Sequence, residues 1–380
     1  MDFQEAVLVV REHGISLLDD PTSNVRFVAV ASKDSGPLAQ ATDFCVTAYV
    51  DHKLTATQLR TRGISTFAAS FSSISGVEAG SQDIDVVETT GAIEPMPGLR
   101  TPIAQRGRYG GPPPALNAQK RFQQLRCGIG VTNPTNEYPN FLSVGTAGFY
   151  MTDDAGYLFL VSNNHVIGRS NAAVNGESIV QPGTLDLTDS ELNLMPTFNK
   201  LINELEIGGV VGVVQLQFPT IAGTPNNTVD AAIAQLYDAG REFDDTDRVT
   251  YGGTIRGVAP AYSVDDTTGA LNQSSRVYKV GRTTGYTEGN VVGVAGVANV
   301  PYDGGTARFV DQLIIAPTDD NTGDFSDSGD SGSGILNDKH ELVGLLFAGN
   351  GQHTFANPIQ NVVDQIRIAS GITSLKVIQG

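Results

Sequence analysis

The sequence predicts a mostly β protein, preceded by a small α+β module and closed by an amphipathic helix. Three observations predict it. Short apolar runs recur at close intervals from Arg126 onward, separated by polar and glycine-containing turns. Glycine is abundant, 43 of 380 residues, as many tight turns require. A proline- and glycine-rich stretch from about Gly91 to Ala118 interrupts the pattern. It divides the chain into a module over 1–92, a linker over 93–125 and a main domain over 126–380.

In the module, Val7, Val10, Ile15 and Leu18 fall on one side of a helix that Asp19-Asp20-Pro21 stops. Asn24–Ser32 reads as a strand with apolar residues on both faces, so it is expected to be covered on both. Phe44–Val50 and Ile84–Val87 are further strands, and Asp51–Arg62 reads as a turn and short helix. The linker is expected to be extended and laid over a neighbouring surface. In the main domain Ser143–Met151 and Tyr157–Val161 form a hairpin around Asp153-Asp154-Ala155-Gly156. Strands follow at Gly209–Phe218, Asp230–Tyr237, Val277–Val280, Asn290–Val297 and Glu341–Phe347. Met195–Ile207 is helical. Pro358–Ala369 is a helix with Ile359, Val362, Val363 and Ile366 on one face.

The formal net charge of −17 argues against nucleic acid and anionic membranes, which need a basic face. No run approaches the roughly 18 apolar residues of a membrane span. Cys45 and Cys127 lie far apart and in no metal-like spacing. So few cysteines in a β-rich chain, with an acidic N-terminus, lead us to expect a cytoplasmic protein. No metal or other cofactor is expected. The acidic run Asp319–Asp330 lacks the ligand spacing of a calcium loop.

Chemistry concentrates at Gly329-Asp330-Ser331-Gly332-Ser333-Gly334. A serine nucleophile needs a general base, a group that orients the base, and donors for the oxyanion. Glycines on both sides of Ser331 permit a tight turn that aims the amides of Gly329 and Ser331 at one point. His165, in the polar turn Ser162-Asn163-Asn164-His165, is the candidate base. Asp230, an acid among small apolar residues, is the candidate orienting group, with Asp186 and Asp189 next in line. Taken singly, each has a plainer reading: a surface loop, a surface-turn histidine, a strand-edge aspartate bonded to backbone.

Together, these segments resemble a family. Gly329-Asp330-Ser331-Gly332 is similar to the nucleophile motif of chymotrypsin-fold serine peptidases, and the order His165, Asp230, Ser331 is theirs. Val280-Gly281-Arg282-Thr283-Thr284-Gly285-Tyr286 resembles a segment of the bacterial α-lytic and streptogrisin-like enzymes. Adding Ser-Asn-Asn-His, Val-Asp-Ala-Ala-Ile and Leu-Leu-Phe-Ala-Gly, the chain resembles the trypsin-like proteins related to the plant NARROW LEAF 1 protein. The resemblance implies two six-stranded antiparallel β-barrels with the triad between them. It implies a serine endopeptidase acting on a protein or peptide substrate. A catalytically silent scaffold and an esterase with the same triad are the alternatives. It also implies a side-chain pocket at Phe325, Leu346, Phe347, Ala348 and Gly349. With no counter-charge at Phe325 and Leu346, apolar side chains are expected there, unless Asp324 or Asp327 recruits a basic one. The module is expected to mediate assembly, as in a homo-oligomer, or substrate delivery, through open strand edges that a partner chain could extend.

Overall fold

A computed structural model describes residues 2–19, 24–33, 43–55, 84–95, 119–122, 124–237, 255–260, 276–318 and 323–379, with the short pieces 38, 41, 57–58, 101–102 and 242–243. The expected helix after Asp51, most of the linker and the start of the acidic run lie outside these residues.

Helix α1 (Phe3–Asp19) buries Ala6, Val7, Val10 and Leu17 against strand β1 (Val25–Ser32). β1 pairs with β2 (Phe44–Val50), which pairs in parallel with β3 (Ile84–Glu88). Beyond β3 the two-residue strand β4 (Glu94–Pro95) begins the proline-rich stretch.

The first half of the main domain is a six-stranded sheet. Its chain order is β5 (Phe149–Thr152), β6 (Leu158–Ser162), the one-turn helix α2 (Asn164–Ile167), β7 (Ser178–Val180), β8 (Glu206–Val213) and β9 (Ala232–Leu236). The spatial order is β7-β8-β9-β6-β5, with Lys376–Val377 on the β5 edge. The β5–β6 turn forms as expected, because the Asp153 carboxylate accepts the amides of Ala155 and Tyr157. The helix expected over Met195–Ile207 forms only over Phe198–Leu205, since Glu206 and Ile207 begin β8, and a further helix, Asp189–Leu194, precedes it; each is capped by a threonine.

The second half adds β10 (Arg276–Gly281), β11 (Gly285–Tyr302), β12 (Gly305–Pro317), β13 (Gly334–Asn337), β14 (Glu341–Gly349) and β15 (Thr354–Pro358). They pair in the order β12-β15-β14-β13-β10-β11, and β11 pairs again with β12. The six strands therefore make a closed ring of hydrogen-bonded neighbours. The first-half strands run as an open path among the described pairings. Helix α3 (Ile359–Ser370) follows β15, buries Ile359, Val362, Val363 and Ile366, and ends on Gly371 at φ 72°.

β11 extends well past the expected strand. Bulges near Gly293 and Gly296 and a positive φ at Ala295 bend it. Bending lets one strand serve β10 with its first part and β12 with the rest. β1 joins it between Gly293 and Ala298, so the module is docked on the ring through a shared sheet. One edge of its expected open strands is thereby used inside the chain. β12 has no counterpart among the expected strands. Its polar residues are satisfied across the fold: Arg308 pairs with Asp19, and Gln312 bonds Asn357 and the Thr228 carbonyl.

Candidate active site

His165 is delivered by the end of β6. Three polar residues there are locked into the structure rather than solvated. Ser162 Oγ donates to the Thr146 carbonyl at 2.7 Å, and Asn163 Nδ2 to the Asp230 carbonyl at 2.7 Å. Asn164 Nδ2 donates to the Val214 carbonyl at 2.8 Å and to Asn171 Oδ1 at 2.7 Å. The side chains that read as a polar turn are therefore buried struts holding His165.

Asp230 precedes β9 and is completely buried. Its amide donates to Asn357 Oδ1. Its carboxylate accepts three donors: the His165 amide at 3.2 Å, His165 Nδ1 at 2.5 Å and the Tyr302 hydroxyl at 2.8 Å. Because the carboxylate accepts at Nδ1, the imidazole holds its proton there and Nε2 carries the lone pair. Nε2 is buried and has no hydrogen-bond partner among the described residues. Asp186, the other candidate acid, is taken by Arg282, and Asp189 lies in the first turn of a surface helix.

Ser331 is buried in the turn before β13. Every carbonyl from Ser328 to Ser331 is bonded on the protein side. Ser328 O accepts Thr283 Oγ1, Gly329 O accepts Thr146 Oγ1, Asp330 O accepts Ser333 Oγ, and Ser331 O accepts the Thr146 amide. The amides of Gly329 and Ser331 donate to nothing among the described residues. Gly329 holds φ 99°, and a Cβ there would sit 2.3 Å from Thr283 Oγ1. Ser331 Oγ donates to the Phe347 carbonyl at 3.3 Å, a long bond for a hydroxyl. The loop lies beside the histidine turn, since a Cβ on Gly332 would meet Ser162 Oγ at 2.3 Å.

Asp330 anchors this turn from beneath. It accepts the amides of Thr283, Thr284 and Asp327 and the hydroxyl of Thr284. The Lys279 ammonium lies 3.3 Å from it, and both side chains are wholly buried. Burial pulls the Lys279 pKa down, and Asp330 opposes that pull. Lys279 also donates to Thr284 Oγ1 and to the Gly285 carbonyl. This explains the Gly-Arg-Thr-Thr-Gly segment. Its two threonine amides cradle Asp330, and a Cβ on Gly281 would strike the carboxylate at 2.3 Å.

Sequence reasoning missed Tyr302 and Lys279. Lys279 had a signal, a lysine between the apolar Tyr278 and Val280 of a strand. Tyr302 had none, being one residue of a hairpin tip. Burial first, and Asp230 second, drive its phenol pKa well above the ordinary value, so it is a donor at all working pH.

A cleft of about 850 Å³ opens here, with His165, Tyr302, Ser328, Glu94, Pro95 and Arg169 among its lining residues. Phe325, Leu346, Phe347, Ala348 and Gly349 do not line it. Phe325 is 1% exposed in the ring core, with the Lys279 ammonium 5.6 Å from its ring centre. Leu346, Phe347 and Ala348 are equally buried, and Phe347 meets Ser331 through its carbonyl. Asp324 is exposed, and Asp327 accepts the Ser328 amide. No group of three potential metal ligands occurs among the described residues.

No protein-family model matches the sequence, and no curated protein matches it. In structure the chain is similar to several serine proteases at low identity. Protease A of Thermobifida fusca is 16% identical, with a TM-score of 0.40 over 68% of this chain and 100% of that one. The Nocardiopsis protease is 14% identical, with a TM-score of 0.39 over 67% and 98%. The Cellulomonas bogoriensis chymotrypsin is 17% identical, with a TM-score of 0.40 over 68% and 100%.

Proposed function

We propose that this chain is a serine endopeptidase with the chymotrypsin-like arrangement of His165, Asp230 and Ser331. One observation carries the reading. Around Ser331 all carbonyls are bonded inward while the amides of Gly329 and Ser331 are free, beside a histidine whose Nδ1 is held by a buried carboxylate. Free paired amides next to a hydroxyl suit a tetrahedral oxyanion, which would supply the two acceptors they lack.

In this mechanism the Ser331 hydroxyl turns from the Phe347 carbonyl to His165 Nε2. Oγ bonds to the scissile carbonyl carbon as Nε2 takes its proton. The C–N bond then breaks, and Nε2 returns the proton to the departing amine. Water repeats the sequence on the acyl-enzyme and releases the acid. Asp230 stays ionised and holds the imidazolium through Oδ2, which the Tyr302 hydroxyl also serves, while the His165 amide keeps Oδ1 satisfied. An apolar side-chain preference is part of this proposal.

Asp230→Asn tests the orienting role. An asparagine amide that donates to Nδ1 moves the imidazole proton to Nε2, the wrong tautomer, so turnover on a peptide library should fall by about 10⁴-fold with the unfolding midpoint little changed. A loss below about tenfold would make Asp230 structural. Digestion of that library by the parent chain also separates a peptidase from an esterase, which would cleave activated esters alone.

A further inference from the structure

The cleft is not bounded by the two halves of the main domain alone. Glu94 and Pro95 pair antiparallel with β14, Pro95 opposite Ala348 and Glu94 opposite Gly349. One residue further along β14, Phe347 holds the Ser331 hydroxyl. Antiparallel pairing means that the segment runs, N to C, towards the nucleophile. It therefore lies on a strand edge beside the reacting group, where the backbone of an extended peptide would find its hydrogen bonds.

The segment is built in rather than loosely resting. Just before it, Thr89 is wholly buried and its amide donates to the Val50 carbonyl at the end of β2. Its hydroxyl bonds Gln352 and accepts from Asn350 Nδ2, and the Thr90 amide donates to Gln352. Gly91 turns with φ 81° against the Asn350 carbonyl. Ile93, 4% exposed, is sealed in one apolar cluster with Phe347, Ala348 and Phe355. Pro95 has no N–H, as befits a strand laid on an edge.

We infer that residues 89–95 form an autoinhibitory strap, which holds the β14 edge against extended peptides until it is displaced. This rests on the serine-peptidase reading above. A strap that competes for the edge hides it from peptides in proportion to its own occupancy, while a small reagent that makes no pairing with the edge does not compete with it. It also gives the N-terminal module a means of acting on the site without contributing to the chemistry, since β3 leads straight into it.

Two serine probes test this on the full chain: a small alkyl fluorophosphonate, which needs only the nucleophile and oxyanion amides, and a tripeptidyl diphenyl phosphonate, which also needs the β14 edge. Ile93→Ala loosens the apolar anchor, and Thr89→Val removes the polar one. Each should speed labelling by the peptidyl probe about tenfold and leave the small probe within about twofold. Two anchors of different chemistry guard against one variant failing to fold. Peptidyl labelling unchanged in both variants, with the small probe reacting normally, would overturn the strap. If the small probe labels Ser331 in none of the three proteins, the peptidase reading falls, and the strap falls with it.

Discussion

Lys279→Met tests whether the turn around Ser331 is held from beneath. The substitution keeps the length and apolar stem of the side chain but removes its charge. Asp330 would then sit fully buried, with three amides and one hydroxyl as its remaining donors. Attraction across 3.3 Å is about 5 kcal/mol at an effective dielectric of about 20. Removing one member of a buried pair typically costs about 3–5 kcal/mol. Four surviving hydrogen bonds place the expected loss at the lower end, about 3 kcal/mol. Urea unfolding with a constant m-value reads this as a lower midpoint. As Asp330 lies between Gly329 and Ser331, whose amides are the proposed oxyanion donors, labelling by a small fluorophosphonate should also slow by about 10²-fold. Arg276→Met is the control, because its exposed pair with Glu288 should contribute less than about 1 kcal/mol. A Lys279→Met protein losing less than about 1 kcal/mol, with labelling unchanged, would refute the reasoning.

Two further outcomes follow from the geometry. Tyr302→Phe removes one of three donors to the Asp230 carboxylate, a charged hydrogen bond of about 1.5–3 kcal/mol, so kcat should fall about tenfold with KM unchanged in steady-state assays. His353, set edge-on against the stacked rings of Phe27 and Tyr49, has its pKa lowered to about 4 by burial. Its unfolded pKa is near 6.5, so the unfolded chain binds the extra proton between these values. Stability due to the neutral ring is complete above pH 6.5 and is lost as pH falls to about 4, by roughly 3 kcal/mol; His353→Gln should flatten that part of the urea midpoint–pH curve.

Most strands, and the three candidate site residues, could be picked out because each rests on local pattern. Phe44–Val50 alternates cleanly and forms over those same residues. His165 and Ser331 sit in turns whose glycines and asparagines have local work to do. What escaped depends on distant partners. β12 carries Arg308, Asp311 and Gln312, which spoil an apolar pattern until Asp19 and Asn357 are brought up to them. Tyr302 reaches Asp230 from a hairpin tip 72 positions away, and no periodicity encodes that. The linker's composition suggested an extended segment, but only pairings such as Pro95 with Ala348 and Pro102 with Phe141 say which surfaces its described residues cover.

The central claim is that Ser331 is a nucleophile activated by His165. It is tested most directly by incubating the chain with a small fluorophosphonate and mapping the adduct by mass spectrometry of its peptides. One adduct on Ser331, absent from Ser331→Ala and slowed by about 10³-fold or more in His165→Ala, is the predicted result. An unmodified Ser331, or an adduct that persists at full rate without His165, would contradict it.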